Sequence, residues 1–229
     1  QLNQYKKIIP NGKRLGMKII FKEQSKPRGL PDAFIIGKKF INKDKVALIL
    51  GDNFFFGQSL TAMLERCVNL ENGAKVILHK VNNPESFGVA VVKDKQILNI
   101  KEKPKKFISN HAITGLYFFD NEVIKFSKKL KPSKRNELEI VDLLNEYKKR
   151  KSLTAEIIGR GGAWLDTGSI EDFYKTTNFV SAIENQQGFK IACLEEISLN
   201  NKWIKKNHIL KAIKFYGKCE YSEYLKKLL

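Results

Sequence analysis

The sequence has 229 residues, of which 42% are hydrophobic and 10% aromatic. This length and apolar content allow one large domain with a sizeable buried core. No stretch approaches the ~20 apolar residues that a membrane-spanning helix needs, and no basic-then-apolar leader opens the chain, so neither a membrane span nor a secretory signal is expected. Three widely spaced cysteines argue against a disulfide framework or zinc site and favour the reducing cytoplasm.

The chain is strongly basic, with 42 Lys and Arg against 24 Asp and Glu and a formal net charge of +18. Such a surplus makes nucleic acid a candidate partner, because clustered cations attract phosphate backbones. The basic residues are spread along the chain, however, and form only short runs such as residues 148–151. A lysine-rich solvated surface or a phosphate-bearing small substrate accounts for the charge as well, and nucleic-acid binding is not expected.

Apolar periodicity, caps and turn residues predict a series of alternating elements. In chain order they are the tail of a helix at 1–9, strand 17–21, helix 30–41, strand 46–50, helix 59–70, strands 75–80, 88–92, 97–102 and 112–119, helices 123–130 and 137–149, strands 154–158 and 164–168, and helix 169–184. Beyond residue 188 the chain is less periodic and is expected to be mostly helical.

The alternation of strands and helices predicts an α/β fold, with an open, mostly parallel, Rossmann-like mixed sheet and helices on both faces. The continuous apolar run at residues 46–50 is typical of a strand buried on both faces of a parallel sheet. There is no internal repeat and no low-complexity linker. We therefore predict one α/β domain over residues 1–187 and a C-terminal helical extension over residues 188–229.

Two carboxylates follow predicted strands, Asp52 after the 46–50 run and Asp166 in the segment 164–168. In open α/β sheets ligands lie beyond the carboxyl ends of the strands, and carboxylates there can hold Mg²⁺ against phosphate oxygens. Gly51 would let the backbone approach a ligand closely. Each motif alone is equally consistent with an ordinary strand-end turn or, for Asp166, with a cap on the following helix.

Three further segments are candidates for binding. Glu102 and Lys103 stand at a strand end before Pro104, where they suit sugar hydroxyls and phosphate, although a surface ion pair is the simpler interpretation. Gly115 lies inside a strand, which marks either close ligand approach or a tightly packed bulge. Arg135 precedes a predicted helix start, where anions are favoured, although a cap by Asn136 explains that start equally well.

The order and spacing of these motifs resemble the bacterial glucose-1-phosphate thymidylyltransferases over essentially the whole chain. The matching motifs are Gln24 with Gly29 and Leu30, then the segments 50–53, 87–89, 102–104, 114–117, 137–140 and 164–168. The stretch 187–190 with Cys193, Glu195 and Glu196 resembles the C-terminal region of the same enzymes, which points away from uridylyl and adenylyl relatives.

The resemblance implies an enzyme that joins dTTP and glucose 1-phosphate into dTDP-glucose and pyrophosphate, for deoxysugar precursors such as dTDP-rhamnose in O-antigen synthesis. It implies Mg²⁺ on Asp52 and Asp166 and catalytic roles for Lys103 and Arg135. It also implies a homo-oligomer, a tetramer in the family, in the cytoplasm. The implied substrate-binding residues are Gln24 and Gly29 at the thymine base and Gly88, Glu102, Lys103, Tyr117 and Arg135 around the sugar phosphate.

The chain also departs from the family pattern. Pro31 and Asp32 replace Ala and Gln after the Gly-Leu pair, Phe87 replaces Tyr, Val141 replaces Thr, and Leu194 replaces Pro. No segment matches the Gly-rich, phosphate-binding loop that opens the family sequence. We therefore expect a protein consisting of residues 1–229 alone to be catalytically inactive. The alternatives are a non-catalytic nucleotide-sugar-binding fragment and a relative that uses UTP or another sugar phosphate.

Overall fold

The computed structural model describes residues 2–8 and 12–229. This part of the chain forms two compact units, one comprising residues 24–173 and the other comprising the chain up to Glu23 together with residues 174–229. The predicted boundary between residues 187 and 188 stays a prediction, since the two units divide the chain at other positions.

The helices and strands follow the alternation expected from the sequence. The helices are α1 (Leu2–Ile8), α2 (Asp32–Ile36), α3 (Lys38–Ile41), α4 (Leu60–Val68), α5 (Glu122–Lys129), α6 (Ile140–Lys149), α7 (Ile170–Gln187), α8 (Leu194–Asn200), α9 (Lys206–Tyr216) and α10 (Glu220–Lys226). The strands are β1 (Val46–Ile49), β2 (Asn53–Phe56), β3 (Ala74–Lys80), β4 (Gly88–Lys93), β5 (Gln96–Glu102), β6 (His111–Phe119), β7 (Leu153–Ile157) and β8 (Ala163–Asp166).

Six strands form one mixed sheet in the order β1-β6-β3-β7-β5-β4, with an additional pairing between β4 and β6. Strands β3 and β7 run parallel, and the other described pairings of this sheet are antiparallel. Strands β2 and β8 form a separate antiparallel ribbon. The predicted α/β class with a mixed sheet is confirmed, although most of the described strand pairings are antiparallel and not parallel as expected.

Strand β6 places apolar side chains on both faces of the sheet, because successive residues of a strand point to opposite sides. Tyr117 and Phe119 belong to the cluster that α5 and α6 cover. Leu116 and Phe118 belong to a second cluster with Met63 and others of α4. The expected helices on both faces are therefore present.

Aromatic packing holds the larger of these clusters together. The ring of Phe119 lies 5.3 Å from that of Phe34 and 5.6 Å from that of Tyr147, and Tyr147 makes an edge contact with Phe126 at 4.9 Å. The buried Tyr147 hydroxyl donates to a carboxylate oxygen of Asp120 at 2.8 Å. The polar end of this large side chain is thus satisfied inside the core.

Two predicted elements have different structures. Residues 17–21 do not form a strand, and Met17 and Ile20 are exposed. None of the described strands pairs with this segment. Strand β1 is present, but it is not buried on both faces. It lies at one edge of the described sheet, and Ile49 is 58% exposed.

Two predicted helices have other limits. The helix expected over residues 30–41 is divided at Gly37 into α2 and α3. The helix expected to begin near Glu137 begins instead at Ile140, because the chain first makes a turn in which Asn136 is left-handed, with φ of 61°. Glu139 stands at the N-cap position of α6, so the alternative in which Asn136 caps this helix is wrong.

The second compact unit is built mainly of helices, as expected for the C-terminal region. Its core contains Cys193, Ile209 and Leu225. The carboxylate of Glu195 is buried here and accepts hydrogen bonds from the hydroxyls of Tyr216 at 3.0 Å and Tyr221 at 2.6 Å.

Across both units, none of the helices in the described residues combines the length and apolarity that crossing a bilayer requires.

Strand β7 carries a buried charge in the first unit. Glu156 is 8% exposed and accepts from Arg66 at 3.3 Å and from Lys95 at 3.2 Å. Burial acts to raise the pKa of Glu156, but the hydrogen bonds from Arg66 and Lys95 outweigh it and hold the pKa below its ordinary value. The ionised carboxylate therefore stabilises the folded state.

We expect Glu156→Gln to lower the free energy of unfolding at pH 7 by about 1 to 3 kcal/mol, because it removes two charge-assisted hydrogen bonds. The folded pKa of Glu156 lies below its ordinary value, so this contribution is complete above that value and is lost as pH falls through the folded pKa. The difference between wild type and variant in urea unfolding should therefore shrink in acid.

The matched control is Glu146→Gln, whose ion pair with Lys149 lies on the surface. Exposed pairs contribute less than about 1 kcal/mol. Equal losses of stability in the two variants, or a Glu156→Gln loss that does not change with pH, would contradict the assignment.

Candidate active site

The two predicted carboxylates lie at the same end of the β2–β8 ribbon. Asn53 opens β2 and pairs with Asp166, the last residue of β8. One residue further, Thr167 donates to the backbone oxygen of Asp52 twice, from its amide and from its hydroxyl, each at 2.8 Å. Asn53 therefore faces Asp166 across the ribbon, and its side chain donates to the Asp52 carboxylate, so both carboxylates lie next to Asn53.

The carboxamide of Asn53 ties this ribbon to the main sheet. Its Oδ1 accepts from the Gly115 amide at 3.2 Å and from the Trp164 indole at 2.5 Å, and its Nδ2 donates to Asp52 Oδ1 at 2.8 Å. Gly115 lies in the middle of β6, and a Cβ atom there would come within 2.8 Å of the Asn53 side chain. The glycine inside the strand thus leaves the room that Asn53 occupies.

The donor set of the two carboxylates fits a small, oxygen-preferring cation. Asp52 Oδ1 takes the Asn53 hydrogen bond and Asp166 Oδ1 accepts from the Gly168 amide at 3.0 Å. Within the described residues, the second oxygen of each carboxylate has no partner. Nor do those residues contain a group of three or more His, Cys, Asp or Glu able to hold a metal. Mg²⁺ in proteins is typically bound by one or two carboxylates, and water and phosphate oxygens occupy its remaining coordination positions.

A cavity of about 250 Å³ borders Asp166. Its polar lining residues are Asn53, Ser86, Glu102, Lys103, Tyr117 and Asp166, and its apolar wall includes Leu30, Leu50, Phe87, Ile140, Val141 and Trp164. The cavity also reaches Gly88 and Gly115. Of the sequence-predicted residues, the structure brings together Gly88, Glu102, Lys103, Tyr117 and Asp166 in this cavity, with Asp52 beside it.

Glu102 enters the cavity because its cross-strand partner has no side chain. Gly88 of β4 pairs with Glu102 of β5, and a Cβ atom on Gly88 would lie 2.8 Å from Glu102 Oε2. The next residue, Lys103, has a left-handed backbone with φ of 39° and donates its amide to Phe87 at 3.0 Å. This turn ends β5 and places a carboxylate and an ammonium group side by side at the cavity.

Tyr117 supplies a neutral hydrogen-bond group to the cavity wall. It is 4% exposed, and burial, with a smaller contribution from the charge of Glu102, raises the pKa of its phenol well above the ordinary value. The hydroxyl therefore keeps its proton at neutral pH, and it has no hydrogen-bond partner within the described residues. A protonated hydroxyl can both donate to and accept from a ligand.

Gln24 and Gly29 are not among the residues that line this cavity. Gln24 Nε2 donates to the Gly29 backbone oxygen at 3.2 Å and to the buried Asp32 at 2.9 Å. Gly29 has φ of 91°, and a Cβ there would lie 2.0 Å from the Leu138 oxygen. Packing thus explains this glycine, and the contact of both residues with a nucleotide base stays a prediction.

Arg135 is not placed at a helix start, contrary to the sequence expectation. It lies in the turn before α6, is 64% exposed, and pairs with Glu139 at 2.7 Å. The hydrogen bond to Glu139 raises the pKa of Arg135, and the negative charge of Glu139 raises it further. Arg135 lines a neighbouring groove with Lys26 rather than the Asp166 cavity, and its catalytic role stays a prediction.

Sequence reasoning missed the contributions of Asn53 and Trp164. Trp164 makes an edge contact with Phe87 at 5.1 Å, and its indole also donates to Asn53. The sequence signal for Asn53 was its position directly after Asp52. Without strand β2, which was not predicted, nothing indicated that Asn53 would face Asp166.

Comparisons with known proteins identify the family of the chain. Residues 1–183 match the family model described as Nucleotidyl transferase. Among solved structures, a Bacillus anthracis protein assigned provisionally as a glucose-1-phosphate thymidylyltransferase, in complex with sucrose, superposes with a TM-score of 0.71 and 35% identity. The superposition covers 78% of this chain and 72% of that one. A UDP-glucose pyrophosphorylase at 24% identity and TM-score 0.59, over 70% of this chain and 65% of its own, shows the same fold.

Curated relatives indicate the subgroup of the family to which the chain belongs. The glucose-1-phosphate thymidylyltransferase of Neisseria meningitidis is 43% identical over 226 residues, which is 98% of this chain and 78% of the relative. The enzyme of that name from Mycobacterium tuberculosis is 36% identical over the same shares. The chain belongs to the nucleotidyl transferase family and, within it, to the glucose-1-phosphate thymidylyltransferases.

The fit between Gly115 and Asn53 makes a prediction for stability. We expect Gly115→Ala to lower the melting temperature by several degrees, because the new methyl group meets the Asn53 side chain and overpacking costs about 1 to 3 kcal/mol. Differential scanning calorimetry measures this directly. Gly51→Ala is the matched control, since a Cβ at Gly51 meets no atom within 4 Å. A Gly115→Ala melting temperature equal to that of the control would contradict the close packing.

Proposed function

We propose that this protein joins dTTP and glucose 1-phosphate into dTDP-glucose and pyrophosphate. The observation that carries the proposal is the pair of carboxylates at one end of the β2–β8 ribbon, beside a polar cavity of about 250 Å³. The names of the relatives at 36% and 43% identity support the same reaction.

The chemistry is an in-line displacement at phosphorus. An oxygen of glucose 1-phosphate attacks the α-phosphorus of dTTP, and a new phosphorus–oxygen bond forms. The bond from that phosphorus to the oxygen bridging to the β-phosphate breaks, and pyrophosphate leaves with that oxygen. The protein forms no covalent intermediate, so its contribution is to position the reactants and neutralise charge.

The cavity residues have chemistry suited to a sugar phosphate. The Glu102 carboxylate accepts hydrogen bonds from sugar hydroxyls, and the neutral Tyr117 hydroxyl completes the polar wall. Lys103 stands directly after Glu102, so its ammonium group can reach the phosphate of a sugar held by that carboxylate. The aromatic rings of Phe87 and Trp164 form the apolar side of the cavity.

Asp52 and Asp166 would hold Mg²⁺, which when bound neutralises negative charge on the phosphate oxygens. The free second oxygen of each carboxylate supports this assignment. Asn53 keeps one oxygen of Asp52 engaged, and the Gly168 amide does the same for Asp166.

The proposal extends to residues outside the cavity. Gln24 and Gly29 would face the thymine base, and Arg135 would assist at phosphate once its guanidinium leaves Glu139. A homo-oligomer in the cytoplasm, serving deoxysugar precursor synthesis, completes the proposal.

Calorimetry with dTDP-glucose and Mg²⁺ tests the site independently of turnover. We expect Glu102→Gln to raise the dissociation constant about 10- to 100-fold, because a hydrogen bond to a charged group contributes about 1.5 to 3 kcal/mol. Glu71→Gln is the control, since Glu71 is an exposed loop residue. Unchanged affinity in Glu102→Gln, or no binding of dTDP-glucose to wild type, would contradict the proposed pocket.

Turnover is tested with dTTP, glucose 1-phosphate and Mg²⁺ in a coupled pyrophosphate-release assay, with Asp52→Asn as the background. Release above this background confirms the reaction and contradicts the expectation that residues 1–229 are inactive alone. Saturable dTDP-glucose binding without release supports the non-catalytic, nucleotide-sugar-binding alternative for these residues.

A further inference from the structure

We infer that Asn53 is a positioning residue, which sets the Asp52 carboxylate and the Trp164 indole against strand β6 and so builds the cation site. The inference rests on the proposed function, which assigns Asp52 and Asp166 as the residues that bind the cation. The contacts that carry it are the three hydrogen bonds of one carboxamide to Gly115, Trp164 and Asp52.

The orientation of the Asn53 carboxamide is determined by its partners. The Gly115 amide and the Trp164 indole can only donate, so the atom that receives both must be the oxygen. The nitrogen is consequently turned toward Asp52, whose carboxylate can only accept when ionised. An Asn side chain meets both requirements with one planar group, and rotating it by half a turn would leave all three partners unsatisfied.

The three partners of Asn53 belong to three separate parts of the unit. Gly115 lies in the main sheet, Trp164 in β8, and Asp52 in the turn before β2. Trp164 and Asp166 are two residues apart on one strand, so they point to the same face of the ribbon. A shift of the indole would therefore move the backbone that carries Asp166, while loss of the Nδ2 contact would free Asp52.

Neighbouring residue types would not reproduce this arrangement. Aspartate has the same shape and keeps an oxygen for Gly115 and Trp164, but it places a second carboxylate against Asp52. Alanine leaves the two donors unpaired and opens space beside Trp164, which is 8% exposed. Hydrogen-bond partners of metal-ligating groups typically contribute about 10- to 100-fold to metal affinity.

The experiment uses a Trp203→Phe background, in which Trp164 is the remaining tryptophan of the chain's two. Mn²⁺ binding in the presence of dTDP-glucose is followed by the electron paramagnetic resonance signal of free Mn²⁺. Acrylamide quenching of Trp164 emission reports the packing of the indole without any ligand. Asn121→Ala is the matched control, because Asn121 donates two structural hydrogen bonds to the backbone oxygens of Asn42 and Asp44.

We expect Asn53→Ala to raise the half-saturating Mn²⁺ concentration about 10- to 100-fold and to increase quenching of Trp164. Asn121→Ala should lower thermal stability but change neither readout. An Asn53→Ala protein that is folded, and whose Mn²⁺ affinity and quenching equal those of the background, would overturn the inference.

Asn53→Asp separates the hydrogen bonds that Asn53 accepts from the one that it donates to Asp52. It should restore the shielding of Trp164, because a carboxylate oxygen still accepts from the indole. Its Mn²⁺ affinity should remain about 10- to 100-fold below that of the background, because a carboxylate at position 53 cannot donate to Asp52 Oδ1. A Mn²⁺ affinity equal to that of the background would contradict the contact with Asp52.

The two readouts also distinguish failure of the inference from failure of the proposed function. If the background protein does not bind dTDP-glucose, the proposed function fails, yet the quenching measurement still decides whether Asn53 holds the indole. If dTDP-glucose and Mn²⁺ bind normally in both the background and Asn53→Ala, only the positioning role fails.

Discussion

The site depends on the pairing of two short strands, β2 and β8, at the point where Asn53 faces Asp166. This pairing brings together residues more than a hundred positions apart in sequence. By itself a two-stranded ribbon is marginally stable, so it needs an anchor. The Asn53 carboxamide provides one by accepting a hydrogen bond from the backbone of β6, and it engages Asp52 with its other end. The position of both carboxylates follows from these few contacts.

Strand β6 connects the sheet and the clusters on both of its faces. It pairs with β1, β3 and β4, and its alternating side chains fill the clusters on both faces of the sheet. Gly115 interrupts this series of large side chains at the one position where Asn53 approaches. Two residues on, Tyr117 is buried in the core and also reaches the cavity. One strand therefore contributes both to the core and to the floor of the site.

Glu102 and Lys103 show how strand pairing can shape a polar cavity. The hairpin of β4 and β5 turns at Asp94 and Lys95, both with positive φ, and its other end carries Gly88 opposite Glu102. The missing side chain on one strand makes room for the carboxylate on the other. This pair of residues could be recognised in the sequence, but their opposition requires the register of the hairpin.

The sequence was sufficient for the α/β class and for most of the elements, because long apolar segments are local signals. Its strand-end motifs made Asp52 and Asp166 candidates, but only the family resemblance placed them in one site. It was not sufficient for β2, whose run of three phenylalanines has no alternation and is defined by its distant partner β8. The start of α6 was misplaced because a left-handed turn at Asn136 has the same local composition as a helix cap. Arg135 was consequently assigned to a helix start, although it pairs with Glu139 in that turn. The role of Asn53 depends on three contacts from separate segments, which no local pattern contains.

The most direct test of the account is the position of a bound cation. Crystals grown with dTDP-glucose and Mn²⁺ give an anomalous difference map in which the metal is identified independently of the protein model. We predict one peak at about 2.1 Å from a carboxylate oxygen of Asp52 and from one of Asp166, the distance typical of this class of cation. A metal peak coordinated elsewhere, or one that contacts only one of these carboxylates, would contradict it.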